Sequence, residues 1–184
     1  MNLFFLHIDP EQCAIYHCDK HVIKMILELT QMLYTAHNMV KTRNLPEDSY
    51  LSFSPKHPTC IWVRLCVENY RYTVNVAKYL CREYTYRYGK IHTCQSHIEW
   101  LHSNVPVFIE TSYGPDVILS YNKKFQEQGH TPVPLAMYPD VKYADTFKSY
   151  RMYYIVYKRT FATWKNRPTP WWYTSGNYKK FKMN

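Results

Sequence analysis

The side chains best suited to chemistry lie close together near the amino end. In HCDKHVIKMILE, His17, His21, Lys24 and Glu28 fall at i, i+4, i+7 and i+11, one narrow stripe of an α-helix. A lysine beside histidine, partly withdrawn from water, could serve as an amine nucleophile, and an imidazole as general acid or base. The candidate catalytic set is therefore Lys20 or Lys24 as amine, His17 or His21 as acid and base, and Glu28 or Asp19 as the carboxylate that stabilises a sugar cation. The remaining faces of the stretch (Val22, Ile23, Met25, Ile26, Leu27, Leu29, Met32, Leu33) are apolar, so the helix should be buried on more than one side. The polar stripe would then face a crevice or an internal hydrogen-bonded network, because buried charge is costly unless paired. Lys24 and Glu28 can pair, in the weaker of the two orientations. Both readings stand at this point: the wall of a pocket, or a structural network without chemistry.

Cys13, His17 and His21 also recur every four residues, and His7 and His57 could add to them. Zinc takes such ligands, but its motifs supply paired ligands at loop-friendly spacings and a fourth group. The sequence has no second local pair, so no metal site is expected, and no motif calls for a cofactor.

A second class of candidate residues is cationic and aromatic. CREYTYRYGK (81–90) interleaves Arg82, Arg87 and Lys90 with tyrosines, either as a phosphate- and base-contacting helix end or as cations opposing the helix dipole. The formal net charge is +9, and its placement matters more than its size. Residues 1–141 hold 13 basic and 13 acidic side chains, whereas residues 142–184 hold 10 basic and one acidic, Asp145, together with 13 aromatics. Charge segregated in this way implies a polyanionic partner, nucleic acid before an anionic membrane. The expected nucleic-acid contacts here are Lys158, Arg159, Lys165, Arg167, Trp171, Trp172, Lys179, Lys180 and Lys182, with bases stacking on exposed rings. The competing reading is an arm whose tryptophans pin the terminus to the core.

The elements that must position these residues are helical. With 46% hydrophobic residues, 184 residues suit one domain with one core, and only 4 glycines argue against a turn-dense all-β chain. The expected fold is mainly α: a compact multi-helix single domain, 1–184, with a short N-terminal extended segment at Leu3–Ile8 and a basic aromatic C-terminal arm at 165–184. Asp9-Pro10 with Gln12 signals a helix start and predicts one helix over about 10–40. A second helix is expected over about 58–88, stopped by Gly89, and a third over about 93–103. Residues 105–141 carry five prolines and read as a long connection with a short helix near 115–127. Phe147, Tyr150, Tyr154, Tyr157, Phe161 and Trp164 make one stripe of a last helix that begins at Asp145, with Lys148, Arg151, Lys158, Arg159 and Lys165 on its other faces. Six cysteines without a CxxC pair read as reduced thiols of an intracellular, reducing compartment. The N-terminal apolar run is too short for a signal peptide, and no stretch is long enough to span a membrane.

At HCDKHVIKMILELTQML (17–33), HPTCIWVR (57–64), EYTYRYGK (83–90) and FATWKNRPTPWW (161–172), the chain resembles a family of small proteins encoded by tailed phages, large DNA viruses and some bacteria. The resemblance spans most of the chain. That family is loosely linked to the pyrimidine-dimer DNA glycosylases, small helical base-excision enzymes with an N-terminal Thr amine as nucleophile. Here Met1-Asn2 stands at that end. The resemblance implies a viral origin and a DNA context. The resulting expectation is a nucleic-acid-binding protein, with double-stranded DNA as partner and viral chromatin or packaging as setting. A DNA base-modifying enzyme of the glycosylase/lyase type is the alternative, and an arm that binds an acidic protein or lipid ranks last.

Overall fold

The computed structural model describes residues 2–173, so Lys179, Lys180 and Lys182 lie outside the described residues. Asp9 starts the first helix, its carboxylate accepting the Gln12 N–H at 2.8 Å, with Pro10 in the first turn where its missing N–H costs nothing. That helix, α1, spans only Pro10–Tyr16, and α2 follows at Asp19–Met39. The single helix expected over 10–40 is therefore broken, with His17 and Cys18 both extended. No local sequence signal stops α1. Its orphaned carbonyls are satisfied from far away: Arg87 donates to the Ile15 and His17 oxygens at 2.9 Å, and the Trp164 indole to the Tyr16 oxygen at 3.0 Å.

The second long helix is split as well, into α3 (Pro58–Val63) and α4 (Val67–Tyr88). Asn69 again supplies a tertiary cap, its side-chain amide donating to the Trp62 oxygen at 2.8 Å and to the Thr131 hydroxyl at 2.7 Å. Gly89 closes α4 in the left-handed region at φ 65°, as the sequence requires. The third helix, α5, spans Gln95–Ser103. Within the long connection, β1 (Leu119–Ser120) and β2 (Val133–Pro134) form a short antiparallel ladder around α6 (Lys123–Glu127). The last helix, α7, spans Thr146–Tyr157 and begins at Asp145, whose carboxylate accepts the Lys148 N–H at 2.7 Å. It ends before Phe161 and Trp164, which lie in the turns that follow.

The molecule is mainly helical, as expected, with α1 and α2 packed on α4, and α5 on α4 and α2. Leu3–Leu6 is buried and extended but joins no sheet. Its Phe4 stacks on His21 at 4.4 Å, while Phe5 packs on Trp62, Tyr72, Phe125 and Tyr150. Each such aromatic burial contributes about 1.5–3 kcal/mol. Residues 165–173 are not a free arm: the Lys165 N–H binds Asp19, and Trp172 is 2% exposed against Tyr16 and Tyr154. All six cysteines carry free thiols. Among the described residues no helix is long and apolar enough to cross a membrane.

Candidate functional site

Part of the stripe His17, His21, Lys24 and Glu28 does line a cleft. His21, Lys24 and Glu28 stand on successive turns of α2. They border a cavity of about 210 Å³ with Asn2 and Phe4 from the N-terminal segment, Ala136, and Tyr153 and Lys158 from the end of α7. Glu28 is buried at the cleft floor, where it accepts the Asn2 backbone N–H at 3.0 Å and pairs with Lys24 at 3.1 Å. Lys24 itself reaches into solvent. His21 Nδ1 is 2.6 Å from the Tyr154 hydroxyl. Burial first, then His17, Lys158 and Lys24, push the His21 pKa down to about 3, so a neutral imidazole faces the cleft at neutral pH. A neutral ring can donate one hydrogen bond and accept another without the cost of burying a charge.

Cations from two elements converge on the mouth of this cleft. The Lys158 ammonium lies 4.5 Å from the Tyr153 ring centre and 6.0 Å from that of Phe161. Lys20, one turn before Lys24, lies 4.8 Å from the same Phe161 ring. Arg159 is exposed beside Lys158. The arrangement presents ammonium groups outward over a small polar hollow with one acidic side chain at its base. It can hold an anion at the rim and a polar group within.

The break after α1 removes His17 from this site. Its ring is fully buried, and its Nδ1–H donates to the Cys13 oxygen at 2.8 Å. Its Nε2 finds no hydrogen-bond partner, and burial pushes its pKa down to about 4. His17 is thus a core histidine and not an acid–base catalyst at the cleft. Asp19 is likewise engaged structurally: it pairs with Arg87 at 3.1 Å, accepts the Thr163 hydroxyl at 2.8 Å and caps the Lys165 N–H. Among the described residues, no group of three or more His, Cys, Asp or Glu is arranged to hold a metal ion.

The expected cationic face is also redrawn. Arg87 is 1% exposed and pairs with Glu83 and Asp19, so it cannot reach a phosphate. Arg167 is neutralised by Glu83 and stacks 4.1 Å from the Tyr86 ring centre. Trp172 is buried and unavailable for stacking, whereas Trp171 is 67% exposed. Lys165 lies over Tyr88, and Arg82 and Lys90 are exposed on and just beyond the end of α4, none of them lining the cleft. Asn2, Phe4 and Tyr153 belong to the site but carried no sequence signal, since only packing brings residue 2 beside α2 and α7. Comparison with known protein families, curated proteins and solved structures finds no match.

Proposed function

We propose that this chain binds nucleic acid, with double-stranded DNA of a viral genome as its partner, through phosphate contacts from Lys20, Lys24, Lys158 and Arg159 around the α2–α7 cleft. The observation that carries the reading is the convergence of Lys24 and Lys158, far apart in sequence, on one hollow, with Lys20 and Lys158 sharing the Phe161 ring. Ammonium groups held over aromatic rings stay hydrated on their outer side and remain available to phosphate oxygens. The test is anisotropy of labelled duplex DNA at rising salt. The logarithm of affinity should fall linearly with the logarithm of salt between about 50 and 200 mM. No binding at the low-salt end would end the reading.

A second reading is favoured by the buried Glu28 carboxylate beside an amine, with neutral His21 in the same hollow. In a base-excision step the Lys24 ammonium would pass one proton to Glu28, and its nitrogen would bond to the sugar C1′ as the bond from C1′ to the base breaks, the base leaving with a second proton from that nitrogen. The bond from C1′ to the ring oxygen then breaks, that oxygen takes up the last amine proton, and the resulting imine is reduced by borohydride to a stable adduct. A trapped protein–DNA species on damaged DNA that vanishes in Lys24→Ala supports enzymatic activity. Its absence leaves binding alone.

A further inference from the structure

A second group of cations borders separate hollows beside α7. Arg151 belongs to the set that the helical spacing turns outward, yet it is only partly exposed, with its guanidinium centred 6.0 Å from Tyr16, 5.6 Å from Trp171 and 5.7 Å from Trp172. Its Nε–H donates to the Leu6 oxygen at 3.0 Å. Among the described residues it has no carboxylate within ion-pair distance. The nearest acidic candidate, Asp145, is committed elsewhere, one oxygen to the Lys148 N–H and the other to the Asn122 amide. Burial depresses the Arg151 pKa, and the nearby Asp145 charge offsets only part of that cost.

A cation withdrawn from water is costly unless something pairs with it. Arg151 borders two hollows. One, of about 200 Å³, is lined by Asp145, Lys148, Met152, Ile155, Trp171 and Trp172, and the other, of about 320 Å³, by His7, Asn122, Lys124 and again Asp145. The first combines a guanidinium fork, a second cation, a tryptophan that is two-thirds exposed and one carboxylate, Asp145, whose oxygens already accept the Lys148 N–H and the Asn122 amide. A planar fork matches the oxygens of a phosphate in two-pronged fashion, and an exposed indole offers a face to a heterocyclic base. An apolar wall with cations at one end fits a ligand that is itself aromatic at one end and anionic at the other.

We propose that the hollow between α7 and the Trp171–Trp172 turn binds a nucleotide by its terminal phosphate, held by Arg151 and Lys148, with the base stacked on Trp171. The site is separate from the Lys24–Lys158 cleft and does not depend on it. The phosphate monoester can belong to a free nucleotide or to a strand end, and the probes separate these sources.

The test is calorimetric titration with adenosine 5′-monophosphate, adenosine, inorganic phosphate, and a tetrathymidylate with and without a 5′-phosphate. At least one nucleotide probe carrying the monoester should bind, while adenosine and the unphosphorylated strand should not. Binding of the mononucleotide identifies a free nucleotide as ligand, and binding of the phosphorylated strand alone identifies a strand end. Trp171→Ala should weaken binding roughly 5- to 100-fold by loss of stacking. Arg151→Lys, which keeps charge but loses the fork, should weaken it about tenfold or more. Lys148→Ala provides a second charge test that leaves the Leu6 contact intact. Equal binding of adenosine and its monophosphate, no binding of either phosphorylated probe, or unchanged affinity in Trp171→Ala and Lys148→Ala would overturn the proposal. Loss of duplex DNA binding in Lys24→Ala with nucleotide binding retained would show that the two sites are independent.

Discussion

Arg87 of α4 and Asp19 of α2 meet at 3.1 Å, and this pair holds open the break between α1 and α2. The same guanidinium donates to the Ile15 and His17 carbonyls and pairs with Glu83. Asp19 in turn receives Thr163 and the Lys165 backbone, so one ion pair ties together the end of α1, the start of α2, the end of α4 and the segment after α7.

Replacing Arg87 by Met should therefore cost about 3–5 kcal/mol of folding stability, because Glu83 and the carbonyls of Ile15 and His17 lose their buried partner. Urea denaturation of the purified variant measures this. A loss below about 1 kcal/mol would mean that the network relaxes around the deletion.

The two adjacent tryptophans should respond oppositely. Trp172→Ala removes a buried indole and should lose about 3–5 kcal/mol. Trp171→Ala, at a site 67% exposed, should change stability by no more than about 0.5 kcal/mol. Similar melting shifts in both variants would contradict this assignment.

Acid should destabilise the fold earlier than its carboxylates alone require. Burial depresses the pKa of His17 and His37 to about 4, and of His21 to about 3, from an ordinary value of 6.5. The unfolded chain takes up these protons first, so the stability from keeping the rings neutral is complete above 6.5 and is lost progressively as pH falls toward the folded values. The slope approaches about 1.4 kcal/mol per pH unit for each ring. Denaturation midpoints that stay level from about pH 7 to pH 5 would refute it.

Lys158→Ala should weaken duplex DNA binding at all sequences and lower the salt slope by about 1, and Lys24→Ala, whose ammonium already pairs with Glu28, should lower it by less. Arg167→Ala should do less, since its charge is already met by Glu83. Salt titrations of the three variants decide the point, and a larger effect at Arg167 would move the binding face away from the cleft.

The helical class, the caps at Asp9 and Asp145 and the stop at Gly89 were legible in the sequence because each depends on residues a few positions apart. The His21–Lys24–Glu28 stripe was legible for the same reason, since i, i+3 and i+4 spacing places side chains on one helix face. His17 was misassigned because the break beside it is filled by Arg87 and Trp164, 70 and 148 residues away from the carbonyls they satisfy.

Charge segregation was equally visible in the sequence, but availability of that charge was not. Counting cations gives the sum of a field; it does not say that Glu83 takes up both Arg87 and Arg167, or that Trp172 is inside while Trp171 is out. Local periodicity and composition thus determined the helices, their caps and the stripe. Only the packing of α2, α4, α7 and the N-terminal segment decided which polar groups meet across the cleft. Partners distant in sequence are chosen by the three-dimensional core, where a buried charge or carbonyl must find whichever group the fold brings within reach.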